Sequence, residues 1–237
     1  MNAAASTRVV VVAVTGLARE ARIATGPGVR SFAGGGDVQG LSDALEAELA
    51  RGARGVISFG IAGGLVDDIA AGTSLVARAI VAQDVCWTCD ADWAGSLARR
   101  VPNAIVADLA GTDAPVMHAS AQRALQRATG AAAVDTESHI AAAIAARYGL
   151  PFAAFRVVAD SAWRTLPPVA SVALARNGKI KRAAVLRSMA GNPAQIPSVL
   201  RTAHEARRAF RALSRGRRLL GLGLACPDFS ELLLDVS

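Results

Sequence analysis

Three carboxylates and one guanidinium are spaced so that they could act together on one bond. Glu20 follows the apolar run Arg8–Val14. Glu137 follows the short run Ala131–Val134. Asp160 follows Phe152–Val158, a run that itself carries Arg156. In a sheet of alternating strands and helices, ligands bind outside the carboxyl ends of the strands, and these acids fall at or soon after such ends. One acid held protonated, with further carboxylates beside it, is the minimum set for cutting an N-glycosidic bond to a purine. The leaving base needs a proton on a ring nitrogen, and the ribose passes through an oxocarbenium-like state that nearby carboxylates stabilise. Taken singly, an acid after a strand is more often a helix cap or a surface charge.

The elements that must position these groups can be read from apolar periodicity. Arg8–Val14 is an almost continuously apolar first strand, closed by Thr15-Gly16. Ser31–Gly36 ends in three glycines. A helix over about 39–51 follows, capped by Asp37 or Ser42, with Leu41, Leu45 and Leu49 on one face. Val56–Phe59 is a short buried strand running into a glycine-rich turn over Gly60–Leu65. Thr73–Ala82 and Ala104–Leu109 read as strands, Gln122–Thr129 as a helix, and Glu137–Tyr148 as a helix stopped by Gly149-Leu150-Pro151. Pro193–Leu220 is helical in pattern. Strands alternating with helices predict an α/β chain: a central mixed sheet flanked by helices, in a single domain over residues 1–237.

Four segments carry a resemblance. Arg156-Val157-Val158-Ala159-Asp160 is similar to the R-x-x-S-D motif of methylthioadenosine and S-adenosylhomocysteine nucleosidases. Ala133–Ser138 resembles their A-V-E-M-E-S/A segment, Phe59–Leu65 their T-G-S-A-G-G-L turn, and Gly16–Glu20 their first loop. All four occur in that family's order and near its spacings, which places the chain in the wider purine nucleoside phosphorylase superfamily and implies a nucleoside phosphorylase-like fold. The resemblance implies that Asp160 protonates adenine and that Glu137 holds the ribose hydroxyls. It implies that Glu20, Glu137 and Arg156 order the attacking water. Ile61, Ala62, Gly63, Thr136, Pro115 and Val116 would then line the substrate. The chain departs from the pattern at Ala159, Thr136, Ile61 and Pro115, where the family places Ser, Met, Ser and a base-stacking aromatic.

A second resemblance covers nearly the whole chain. Gly16–Arg22, the Gly34–Asp37 turn and the Asp135–His139 run are similar to the hopanoid-associated phosphorylase-like family. This implies release of adenine from adenosylhopane, leaving ribosylhopane or its phosphate. Methylthioadenosine, S-adenosylhomocysteine or a general purine nucleoside is the alternative substrate. A non-catalytic nucleoside- or lipid-binding module is the alternative of another class, although binding alone needs no acid at the leaving base. Gly35 and Gly36, with Arg30 nearby, precede a helix whose N-terminus could hold phosphate as a co-substrate, while Glu20 would repel the dianion. No cofactor is called for.

Composition bounds the rest. Of 237 residues, 52% are apolar, so a sizeable core is possible, and small residues dominate it. No apolar run reaches the roughly 20 residues that span a bilayer. Arg19, Glu20 and Arg22 follow the first run at once, so a cytoplasmic protein is expected. Cys86 and Cys89 form a lone CxxC, Cys226 is distant, and His118, His139 and His204 are scattered. That pattern reads as ordinary thiols, with a redox or metal role as the alternative; a metal site would want two more ligands nearby, so none is assigned.

The formal charge of +7 is regional. Lys and Arg crowd between Arg176 and Arg218 against a single acid, Glu205. Val199, Ala203, Ala206, Phe210 and Leu213 could form an apolar helix face there, with Arg201, Arg208 and Arg215 recurring every seven residues. Such a face is either solvated surface or a contact with an anionic membrane. Only Phe210 is interleaved with the arginines, so nucleic acid is not expected as a partner. The apolar stretch Trp163–Val169 could line an open pocket mouth and accept a bulky 5′ substituent. The resemblance further implies a homodimer.

Overall fold

A computed structural model describes residues 10–167, 178–227 and 229. Arg8 and Val9 of the predicted first strand lie outside them, as do Val169 and Arg176. Among the described residues, eight strands are joined by seven α-helices: β1 Val11–Thr15, α1 Ala18–Ala24, β2 Val29–Ala33, α2 Val38–Ala50, β3 Gly55–Gly64, β4 Ser74–Ala82, β5 Val85–Thr88, α3 Ala91–Arg100, β6 Ile105–Gly111, α4 Ala119–Thr129, β7 Ala133–Asp135, α5 Ser138–Arg147, β8 Phe152–Asp160, α6 Arg182–Gly191 and α7 Ile196–Leu220. Short 3₁₀ turns flank α7 at Pro193–Gln195 and Leu222–Ala225.

The sheet is mixed, in the order β2-β1-β3-β7-β6-β4-β5. β8 lies parallel to β3 and antiparallel to β4, so β3, β7, β6, β4 and β8 close a ring. Two apolar layers cover it. One packs Leu41, Leu45 and Leu49 of α2 and Ile140 and Ile144 of α5 on the strands. The other packs Trp93 and Leu97 of α3 with Ala209, Phe210, Leu213 and Leu220 of α7. Helix starts follow local chemistry. Asp37 accepts from the Gly40 N–H and Asp90 from the Trp93 N–H, leaving fewer amides unpaired in each first turn. Gly130, at φ 68°, closes α4 in the left-handed region that favours glycine.

Several expectations need correction. The glycines 60–64 are not a turn. They continue β3, because β8 pairs with them residue by residue: Gly60 faces Arg156, Ala62 faces Val158, and after a register shift Gly63 faces Asp160. That shift is a β-bulge, which re-aims a side chain at a sheet rim. Asp160 is therefore the last residue of its strand rather than a residue beyond it. α1, β2, β5, α3 and α6 were not anticipated; each is short or lacks a continuous apolar stripe. On α7 the buried face is turned from the one expected. Glu205, Ala209, Phe210, Leu213, Gly216 and Leu220 face inward, while Ala203 is exposed. The inward row is set by close packing on β8, where the ring of Phe155 leaves room only for Gly216.

Candidate active site

The acids meet around one buried guanidinium. Arg156, fully buried in mid β8, places Nη2 2.5 Å from Ser58 Oγ and 3.4 Å from Glu137 Oε2. Its Nε lies 3.1 Å from Asp135 Oδ2 as an ion pair, and its Nη1 donates to the Ile61 carbonyl. Burial alone would lower its pKa. Asp135, Glu137 and Glu20 around it hold it above its ordinary value, so the cation is kept by its neighbours.

Glu20 enters from the first turn of α1. Its Oε2 accepts from the Gly16 and Leu17 amides at 2.9 and 2.7 Å, and its Oε1 from the Ile61 amide at 2.8 Å. The acid thus closes the start of its own helix and reaches β3. Burial outweighs Arg156 and these amides, so its pKa is pushed up to about 7. Glu137 stands just before α5. Thr136 Oγ1 donates to its Oε1, and burial raises its pKa against the pull of Arg156. Asp135 fixes this corner: its Oδ1 accepts from the Glu137 and Ser138 amides at 2.9 and 2.7 Å, and Ser138 Oγ donates to its Oδ2 at 2.5 Å. Two glycines make the approach possible. A Cβ on Gly16 would lie 2.9 Å from Glu137 Oε1, and one on Gly60 only 2.6 Å from Arg156 Nη1.

Asp160 stands apart from this cluster. No hydrogen bond reaches its carboxylate among the described residues, and burial pushes its pKa up to about 6, against Arg164 and with Glu205. A desolvated acid with no donors favouring its charged form is one that can carry a proton near neutral pH.

Glu20, Glu137 and Asp160 open on one cavity of about 220 Å³. Ile61, Ala62, Gly63, Thr136, Pro115 and Val116 line it with them. Arg156 does not; it lies behind Glu20 and Glu137 and can act only through them. The anion-binding set is not brought to the cavity. Arg30 points to Glu48 at 2.8 Å. The Gly34 and Gly35 amides are donated to the Thr15 and Gly16 carbonyls, and Asp37 caps the following helix. Gly36 is nearer, in a small recess beside Glu137. Leu17, Thr112, Gln122, Val134, Asp135, Ala159 and Leu166 also line the cavity; of these the sequence points to Ala159, as a departure from the family's Ser, and to Leu166, within the stretch expected at its mouth. Asp135 accepts the Glu137 and Ser138 amides from ahead of Glu137, which itself holds the N-cap position of α5. Trp163 is not a lining residue.

The cysteines lie elsewhere. Cys86 is exposed on β5, and Cys89 and Cys226 are buried. Burial pushes the Cys89 thiol up to about 12, which leaves it little thiolate character. Among the described residues no group of His, Cys, Asp and Glu could hold a metal ion, and no helix is long and apolar enough to cross a membrane.

Comparison with solved structures agrees with this architecture. Futalosine hydrolase of Helicobacter pylori superposes with a TM-score of 0.62 at 14% identity, covering 90% of this chain and 97% of that one. The 5′-methylthioadenosine/S-adenosylhomocysteine nucleosidase of the same organism gives 0.58 at 14% identity, over 87% and 96%. The S-adenosylhomocysteine nucleosidase of Streptococcus pyogenes gives 0.59 at 15%, over 92% and 100%. At such identities the likeness is one of fold. No curated protein matches the chain in sequence. The model of the phosphorylase superfamily matches residues 8–190, a span that runs from β1 through α6 and includes every acid of the cavity, and the chain belongs to that superfamily.

Proposed function

We propose that the protein cleaves the N-glycosidic bond of a 5′-substituted adenosine and releases adenine, with water as the nucleophile. Asp160 gives its proton to a ring nitrogen of the base as the bond electrons leave with it. The water oxygen bonds to the anomeric carbon, and its proton passes to Glu20, which the amides of Gly16, Leu17 and Ile61 and the charge of Arg156 hold in place. Glu137 takes the ribose hydroxyls and faces the positive charge that develops on the sugar. The observation that carries this reading is the separation of roles among acids on one cavity: Asp160 is desolvated and without donors, while Glu20 and Glu137 share a buried cation.

Water is favoured over phosphate because Glu20, Asp135 and Glu137 surround a single Arg156, and a phosphate dianion would meet surplus negative charge there. Arg30 is engaged with Glu48 instead. Leu17, Ile61, Pro115, Val116, Val134 and Leu166 give the cavity an apolar lining, which suits an apolar 5′ group. The hopanoid chain of adenosylhopane is the substituent that the sequence resemblance implies. A homodimer and peripheral contact with an anionic membrane accompany this reading.

The test is incubation of the protein with adenosylhopane, methylthioadenosine and adenosine, each with and without phosphate. Adenine is followed by chromatography and the sugar by mass. The expected result is adenine release that does not need phosphate, fastest with the apolar 5′ group, with a free sugar product. A sugar 1-phosphate would replace water by phosphate. Absence of adenine from all three would overturn the reading.

A further inference from the structure

The segment that leaves Asp160 is gripped from two helices. Gln122, in α4, is 2% exposed, and its amide nitrogen donates to two carbonyls, Arg164 at 3.0 Å and Val116 at 3.4 Å. Both partners are acceptors, so the NH2 end must face them. One amide therefore ties the loop carrying Pro115 and Val116 to the segment following the acid. The Leu166 amide adds a bond to the Met117 carbonyl at 2.9 Å. From the other side, the Arg164 guanidinium meets Glu205 of α7 through Nη1, at 2.6 and 2.5 Å to the two carboxylate oxygens. Its Nη2 donates to Thr202 Oγ1 at 3.2 Å. Glu205 is itself buried and also takes Arg201 at 3.2 Å.

Between Asp160 and Arg164, Trp163 has φ 60°, a left-handed conformation that costs a bulky residue energy and persists only where its surroundings impose it. Arg123, next to Gln122, places its guanidinium 5.4 Å from the Trp163 ring centroid.

We propose that Arg164, held by Gln122 through its carbonyl and by Glu205 through its guanidinium, is the positioning residue for Asp160, and that α7 acts on the acid through it. The inference rests on Asp160 being the proton donor. α7 begins at Ile196, beyond the span matched by the family model, so this control would be supplied by a part of the chain outside that span. Among the described residues, the charged groups acting on Asp160 are Arg164 from its own segment and Glu205 from α7, to which Arg201 is bound, with Glu20 and Glu137 on the same cavity. Arg156 lies on the same strand among the other carboxylates, and β3 carries no ionisable residue. Burial dominates the raised proton affinity of Asp160; Arg164 opposes it and Glu205 adds to it, so the two members of the pair act on the acid with opposite sign.

The test is a pH titration of the full chain labelled with carboxyl-13C aspartate, in which Asp160→Asn assigns the Asp160 resonance. This reading needs no substrate. Arg164→Met should move the Asp160 midpoint to higher pH, and Glu205→Gln should move it to lower pH, each by roughly half a unit or more. Opposite shifts are the signature, because loss of packing alone would not reverse sign with the charge removed. Gln122→Met should leave the midpoint nearly unmoved and lower kcat on methylthioadenosine about tenfold with a smaller change in KM, since misplacement costs rate. Arg164→Lys and Glu205→Asp serve if the first pair unfolds, with smaller shifts of the same signs. Shifts below about 0.2 unit in folded variants, or shifts of one sign, would overturn the inference. If Asp160→Asn retains turnover, the functional reading fails; if it is inactive and the midpoint does not respond, only the positioning role fails.

Discussion

Gly60 of β3 stands opposite Arg156 of β8 in the parallel register, and a Cβ at Gly60 would sit 2.6 Å from the Arg156 Nη1 and 2.8 Å from the Glu20 carboxylate. Those separations are too short for carbon. The missing side chain is what lets a buried cation and a buried acid occupy the space over the sheet. Gly60→Ala should therefore displace Arg156 or Glu20. We expect a stability loss of about 1–3 kcal/mol, the usual range for overpacking, and a fall in kcat/KM of at least tenfold. Denaturant melts and steady-state rates check this; an Ala variant with unchanged rate would show that the contact does not matter.

The pH profile follows from the two raised acids. The proposed mechanism needs Asp160 protonated and Glu20 ionised. As pH rises through about 6, Asp160 loses its proton, and as pH falls through about 7, Glu20 gains one. The two limbs overlap, so kcat/KM should peak between pH 6 and 7 and fall on both sides. A rate flat from pH 5 to 8 would show that these groups do not carry the chemistry.

Stability should depend on the same proton. Asp160 binds its proton more tightly when folded than when unfolded, so its ionisation costs stability progressively from about pH 4 to about pH 6. Asp160→Asn removes that cost. The variant should melt above the wild-type protein at pH 7.5, with the gap shrinking towards pH 4. A gap that widens at low pH would contradict the burial of this acid.

Much of this was legible in the sequence, for a physical reason. Acids that follow apolar runs fall at the carboxyl ends of strands, so Glu20, Glu137 and Asp160 could be assigned to one end of a sheet before any fold was known. The glycines of β3 misled because local propensity marks them as a turn, whereas Gly60 leaves room for Glu20 and Arg156 and Gly63 and Gly64 leave room for Asp160 and its neighbours, groups that come from distant segments. Gln122 left no local signal, since its role depends on two carbonyls from other loops. Arg30 was near the glycines in sequence, yet the strand β2 turns its side chain towards Glu48 of α2.

The outer face of α7 carries Arg207, Arg208, Arg211, Arg215 and Arg218, with exposed Leu200 on α7 and Leu186 on α6 nearby in sequence. We expect the protein to bind vesicles containing anionic lipid and to leave them as salt rises. Each basic residue near such a surface contributes about 1 kcal/mol, and the screening length falls from about 10 Å at 0.1 M to about 3 Å at 1 M salt. Arg201, first grouped with Arg208 and Arg215, is drawn to Glu205. The informative variant is therefore Arg208→Gln with Arg211→Gln and Arg215→Gln. It should lose vesicle binding in flotation assays and keep turnover of a soluble adenosine. Wild-type protein that ignores anionic vesicles at low salt would leave the face as solvated surface.

The central claim is that Asp160 delivers the proton to the leaving base, and single-turnover adenine release by Asp160→Asn tests it most directly. Asn keeps the shape of the side chain and has no acidic proton to transfer. With the variant folded, the account predicts a rate lower by about 10²–10⁴-fold, the usual loss on removing a general acid, with adenine still bound. A rate within a few-fold of the wild-type protein would contradict it.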